Sequence, residues 1–203
     1  MSEANLVHVI DDDEAVRDSL SFLLRAADFN VVAYRSATHF LESLTHDIDG
    51  CVITDVRMPD MSGLDLLRRL RSTSCMIPVV VMTGHGDIQL AVEAMKAGAL
   101  DFLEKPFDDE RVLTAVRSAL EARQAQDERI VRRNEIEERL GSLSQRERQV
   151  LDGLVAGLPN KTIAHDLGIS PRTVEVYRAN VMTKMQAGSL SELVRMALLI
   201  QPS

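Results

Sequence analysis

Apolar positions along the chain follow two rhythms. Up to about residue 120, short apolar runs alternate with stretches in which apolar side chains recur every three or four residues, as at Val16, Leu20, Leu23 and Leu24. The runs at 6–10, 30–34, 51–54, 78–83 and 101–104 predict strands, and the stretches at 14–27, 37–44, 63–72, 87–97 and 108–121 predict helices. Five such βα units in order imply an α/β, doubly wound fold: a five-stranded parallel sheet covered on both faces through right-handed crossovers.

The text then changes to EARQAQDERIVRRNEIEERLG, rich in charge and poor in apolar residues. Residues 123–141 predict a helical linker continuing the last helix, either a plain solvated one or one with a weak pairing stripe at Ile130, Ile136 and Leu140. After Ser142 no strand rhythm remains. Ser144 with Glu147, and Ser189 with Glu192, form S-x-x-E capping boxes that open helices. Between them GLPN closes one helix and opens another at 161–167, GIS turns, and Ser170 with Pro171 supplies an N-cap and a first-turn proline for a helix through residue 185. Two helices joined by a short glycine-containing turn are the helix-turn-helix pattern, with the second as reader. The expected organisation is therefore 1–122, a linker at 123–141, and an all-α domain at 142–203.

Charge sharpens the division. Residues 1–120 hold 11 Lys and Arg against 20 Asp and Glu, a net −9, whereas residues 121–203 hold 12 against 11, a net +1. Such asymmetry points to two units with different partners, nucleic acid being open only to the second. No secretory leader or apolar run of membrane-spanning length is read, which gives the expectation of a soluble cytoplasmic protein without a membrane partner. Cys51 and Cys75 lack metal-ligand or disulfide-framework spacing and read as small core or near-surface thiols.

The acidic half carries the chemistry. The stretch VIDDDEAVR runs a strand into three aspartates and a glutamate. One aspartate suffices to cap the next helix, and Asp13 suits that task; the surplus repels itself unless a cation offsets it. Ligands of open parallel sheets bind at the carboxyl ends of the strands. Asp11 and Asp12 follow the first strand, Asp55 the third, Thr83 ends the fourth and Lys105 follows the fifth, so all five fall on one rim. Gly84 and Gly86 flank His85 and make that loop permissive, with His85 an exposed loop histidine.

Asp11-Asp12, TDVRMPDMSG, MTGHG, KAGA and EKPF together resemble the receiver domain of two-component response regulators, and LSQRERQVL through GLPNKTIAHDLGISPRTVEVYRANVMTKM resembles the LuxR/NarL-type helix-turn-helix domain. The combination is similar to the FixJ subfamily, and the receiver resemblance implies a flavodoxin-like sheet. It implies that Asp55 is the phosphoacceptor for a sensor histidine kinase, and that Mg²⁺, with Mn²⁺ as a substitute, is held by Asp12 and Asp55 with help from Asp11 and the backbone carbonyl of Arg57. Oxygen-only ligands suit such an ion. Lys105 would pair with a phosphoryl oxygen, the Lys105–Pro106 bond would be cis, Thr83 would bond the new phosphate and Phe102 would relay its movement; on residue type alone, Thr83 and Phe102 read equally as core. The family further implies a homodimer formed through the receiver on phosphorylation, promoter DNA and RNA polymerase as partners, and transcriptional activation in low-oxygen or nitrogen-fixation control.

On the reader helix, Arg172, Thr173, Glu175, Val176, Arg178, Ala179 and Asn180 are the candidates for base edges, with Lys161 and Lys184 suited to phosphates. Val174, Val181 and Met185 follow helical spacing and read as core, and Tyr177 does so in part. Residues 142–203 hold 7 basic against 5 acidic residues, so a single domain should bind weakly and dimerisation would strengthen it. Two rival readings use the same acids. A Mg²⁺-dependent phosphohydrolase of the haloacid-dehalogenase type needs D-x-D-x-T/V after its first strand, but Asp11-x-Asp13 is followed by Ala15, and Asp12-x-Glu14 lacks the second Asp. A phosphorylation-independent docking module would leave the Asp, Thr and Lys set without a purpose.

Overall fold

Each of the three central strands is buried on both faces, and their side chains sort by parity. The structure, a computed structural model, describes residues 5–44, 48–73, 75–84 and 87–200. In order the elements are β1 (Leu6–Ile10), α1 (Glu14–Ala26), β2 (Asn30–Tyr34), α2 (Ala37–Glu42), β3 (Cys51–Asp55), α3 (Gly63–Ser72), β4 (Val79–Thr83), α4 (Ile88–Lys96), β5 (Asp101–Glu104), α5 (Asp109–Gly141), α6 (Gln145–Val155), α7 (Asn160–Leu167), α8 (Pro171–Lys184) and α9 (Leu190–Leu198). The chain divides into two compact units, 1–126 and 127–203.

In the first unit the strands pair in parallel in the order β2-β1-β3-β4-β5. Ile10, Val52, Val79 and Val81 point to one face, where they meet Phe40, Leu66, Leu67, Leu70 and Ala94 from α2, α3 and α4. Val7, Val9, Ile53, Val80 and Met82 point to the other, against Leu20 and Leu24 of α1 and Val112 and Val116 of α5. Two-sided burial explains the nearly continuous apolar runs. The order reverses between β1 and β3, so their carboxyl ends flank a switch point. His8 is buried beneath Tyr34 and Phe40, its ring nitrogens 3.2 Å from the Tyr34 hydroxyl and 3.1 Å from the Asp49 carbonyl. Burial lowers its pKa despite the Asp49 contact. Cys51 is buried, its thiol pushed up to about 12 by that burial, and Cys75 is half-buried.

Helix α5 continues through the expected helical linker and runs unbroken to Gly141, because its intervening residues are good helix formers without proline or glycine. Ile136 and Leu140, read as a weak pairing stripe, are buried among Val150, Leu151, Leu154, Val174, Val181 and Leu193, whereas Ile130 is exposed. The last turns of this helix thus supply core to the second unit. That unit is otherwise α6 to α9, without strands among its described residues. No described helix is long and apolar enough to cross a membrane.

Candidate functional site

At the switch point the end of β3 delivers Asp55, which is 8% exposed, and the first residue beyond β1 delivers Asp11, which is 1% exposed. The Lys105 ammonium, arriving just after β5, donates to both: 2.6 Å to Asp55 Oδ1 and 2.9 Å to Asp11 Oδ2. Its backbone N–H extends the sheet by donating to the Thr83 carbonyl at 2.8 Å, and the Lys105–Pro106 bond is cis. The second oxygen of Asp55 accepts from the Arg57 backbone N–H at 2.6 Å, and that of Asp11 from the Asp13 N–H at 2.9 Å. Asp13 itself caps α1 through the Ala15 N–H, as its position suggested.

Electrostatics follow from this crowding. Burial raises the Asp11 pKa, against the pull of Lys105 and the Asp13 N–H, with the Asp55 charge adding to the rise. For Lys105 burial opposes the charged form, but hydrogen bonds and attraction from Asp55 and Asp11 outweigh it and raise the pKa. Arg17, which the sequence reading passed over, donates from α1 to the carbonyls of Asp11 and Asp12 at 2.8 and 2.9 Å and fixes the loop.

Asp11 and Asp12, both expected to serve the cation, face different surroundings. Asp12 is exposed and lines a separate depression with Arg35, His39, Pro59 and Asp60, while Asp11 shares Lys105 with Asp55. The reason is that the Asp11 N–H bonds the Tyr34 carbonyl at 3.3 Å, prolonging the strand and turning residue 11 inward. Among the described residues no group of three Asp, Glu, His or Cys side chains converges to hold an ion. The chemistry of Asp11 and Asp55 still fits a hard divalent ion, being all oxygen and carrying buried negative charge that one ammonium shares.

Thr83, 2% exposed, and Phe102, 37% exposed, lie on the wall of a groove of about 480 Å³ that is completed by α4 residues including Ile88, Val92 and Met95. His85 and Gly86, read as part of a permissive loop, lie outside the described residues.

In the second unit Ser170 caps α8 by accepting from the Thr173 N–H, and Pro171 starts the helix. Val174, Val181 and Met185 are fully buried, so the helix presents its opposite face outward. Arg172, Glu175, Val176, Ala179 and Asn180 are exposed, Thr173 and Arg178 half-buried, and Lys161 exposed on α7. The Thr173 hydroxyl sits 2.8 Å from Ser170 Oγ and belongs to the cap. Lys184, expected to suit a phosphate, is already engaged within its own unit. Its ammonium donates to the 4%-exposed Glu147 at 2.7 Å and to the Ser142 carbonyl at 3.3 Å, which makes it a strut between α8 and the α6 capping box rather than an uncommitted phosphate contact.

Comparison with known proteins agrees with both halves. Residues 7–117 match the family described as response regulator receiver domain, and residues 141–197 that of bacterial regulatory proteins, luxR family. The chain belongs to the response regulators that join a receiver to a LuxR-type DNA-binding domain, and it is a FixJ-like, phosphorylation-controlled transcription regulator. It is 60% identical to the transcriptional regulatory protein FixJ of Azorhizobium caulinodans, covering 98% of this chain and 94% of that one. It is 55% identical to FixJ of Rhizobium meliloti over 95% and 94%. Among solved structures, full-length FixJ from B. japonicum is 53% identical over 96% of both chains with a TM-score of 0.61, and the response regulator StyR is 42% identical over 95% and 98% with a TM-score of 0.80. Receiver domains generally bind Mg²⁺ at the phosphorylation site. These likenesses lend nothing to the phosphohydrolase alternative.

Two consequences are measurable. A Cβ at Gly63 would lie 2.2 Å from the Asp55 carbonyl oxygen, so the β3–α3 turn must shift to admit one. Gly63→Ala is expected to lower stability by about 1–3 kcal/mol and to slow labelling by acetyl phosphate, as seen in melts and in phosphoprotein gels. The Lys184 and Ser144 contacts hold the Glu147 carboxyl down at about 2 from an ordinary 4.5. Its stabilising effect is fully present above 4.5 and is lost as pH falls toward 2. Glu147→Gln should therefore flatten the acid sensitivity of unfolding across that window, measured by circular dichroism.

Proposed function

We propose that Asp55 accepts a phosphoryl group from the phosphohistidine of a sensor histidine kinase and that this modification controls promoter binding by the second unit. The observation that carries the reading is the Lys105 ammonium held 2.6 Å from Asp55 Oδ1 and 2.9 Å from Asp11. In the transfer the N–P bond breaks as an Asp55 oxygen forms the P–O bond, and the imidazole leaves. Negative charge approaches negative charge, so positioning and cations supply the catalysis. Lys105 takes one non-bridging oxygen. When bound, Mg²⁺ or Mn²⁺ supplies further charge neutralisation, with Asp11, Asp55, Asp12 and the Arg57 carbonyl as its oxygen donors.

The Thr83 hydroxyl bonds the new phosphate and Phe102 follows it inward. The α4–β5–α5 face is thereby reshaped and receivers pair, so that two copies engage two half-sites. The chain's only chemistry is on itself. Promoter DNA and RNA polymerase are its partners in the cytoplasm, and activation in low-oxygen or nitrogen-fixation control is the pathway that the FixJ likeness supports.

Particle size and promoter binding with and without beryllofluoride test this reading. Equal responses from wild type and Asp55→Asn would sink it. For the reader, Arg178→Ala and Asn180→Ala should each cost about 1–3 kcal/mol of sequence discrimination. Lys161→Ala should instead weaken all sequences alike and reduce the salt slope by about one.

A further inference from the structure

Seven helices among the described residues begin with a side chain that closes its own first turn. Asp108 does so for α5, accepting from the Arg111 N–H, and Asp13, Ser36, Ser62, Ser144, Ser170 and Ser189 each accept a backbone N–H, with ψ between 116° and 161°. Helix α4 departs from this pattern. Asp87 stands at its N-cap, a position aspartate favours, yet it makes no capping bond and holds ψ at 44°. Its carboxylate is engaged elsewhere: Arg57 Nη2 donates to Asp87 Oδ1 at 2.5 Å, and the Asp87 side chain is only 17% exposed. Arg57 also touches the acidic rim, its backbone N–H donating to Asp55 Oδ2 at 2.6 Å. One residue thus joins Asp55 to the start of α4.

We propose that the Arg57–Asp87 pair is a latch on the unphosphorylated receiver: a phosphoryl group on Asp55 draws the Arg57 guanidinium away, and the released Asp87 caps α4. The latch rests on Asp55 being the phosphoacceptor. A phosphoryl group carries more charge and more acceptor oxygens than a carboxylate, and guanidinium is well shaped to bind it. Freed of Arg57, the Asp87 carboxylate turns to the orphan N–H groups of Gln89 and Leu90, the second and third residues of the helix. Helix α4 lines the same groove as Thr83 and Phe102, so tightening its first turn changes the wall they share. A cap of ordinary strength moves a two-state equilibrium about fivefold, and no more than its differential interaction allows.

Two substitutions at one position separate the two tasks of Asp87. Asparagine caps as well as aspartate but forms no ion pair, whereas alanine does neither. In the full chain without beryllofluoride, Asp87→Asn is expected to slow amide exchange at Gln89 and Leu90 and to raise promoter affinity, each about fivefold. With beryllofluoride and Mg²⁺, Asp87→Ala is expected to gain no protection at those amides and to lose about fivefold in its promoter response. The latch is overturned if both variants move in the same direction, or if both match a wild type that responds to beryllofluoride. A wild type with no response would bring down the phosphoacceptor reading and the latch with it.

Discussion

Asp55→Asn is expected to take up no phosphoryl group from acetyl phosphate or a cognate kinase, and yet to fold as firmly as the parent. The two halves of that expectation have separate causes. An amide oxygen is a poor nucleophile, and among the described residues no other carboxylate shares both the Lys105 ammonium and the Arg57 N–H. The fold survives because an asparagine carbonyl can still accept one of those bonds, and because Lys105 keeps its second partner, Asp11. Removing the Asp55 charge also relieves Asp11, whose raised pKa partly reflects that neighbour. Unfolding free energy should stay within about 1 kcal/mol of wild type. Radiolabel retained by the variant would show that another residue is the acceptor.

The second large effect lies where the sequence reads as linker. Ile136→Ala is expected to destabilise the second unit by about 2–4 kcal/mol, since Ile136 is 1% exposed and packs with Val150, Leu151 and Val174. Arg133→Ala, three residues earlier on the same helix, should change stability by less than about 0.5 kcal/mol, because its pair with Glu137 is solvent-exposed. Thermal melts of the full chain report both, and promoter affinity should fall only for Ile136→Ala. Equal melts for the two variants would mean that the end of α5 is not part of that core.

The contrast shows what the sequence could reveal. Strands β1, β2 and β5 are read to the residue because short apolar runs between polar and turn residues bound them sharply. The extent of α5 is read too, but not the packing of its end, since charged residues continue a helix as readily on a solvated surface as beside a core, and only Ile136 and Leu140 mark the change. Asp11, Asp55 and Lys105 were legible from their rim addresses. Which of Asp11 and Asp12 turns inward was not, because it depends on a bond from the residue just beyond β1 to the last residue of β2. Glu147 and Lys184 lie 37 positions apart, and charge alone announces no such pairing. The family resemblance implies a role only for the Arg57 carbonyl, whereas its side chain pairs with Asp87, 30 residues away.

The tie between Glu147 and Lys184 has a bearing on how operator preference changes over generations. It anchors α8 by its C-terminal end, while Val174, Val181 and Met185 anchor it from beneath. Arg172, Glu175, Val176, Ala179 and Asn180 carry little of that burden, being exposed. Selection can therefore rewrite the outward letters of this helix one at a time, each intermediate remaining folded, so that duplicated copies can diverge toward new targets without passing through an unstable ancestor.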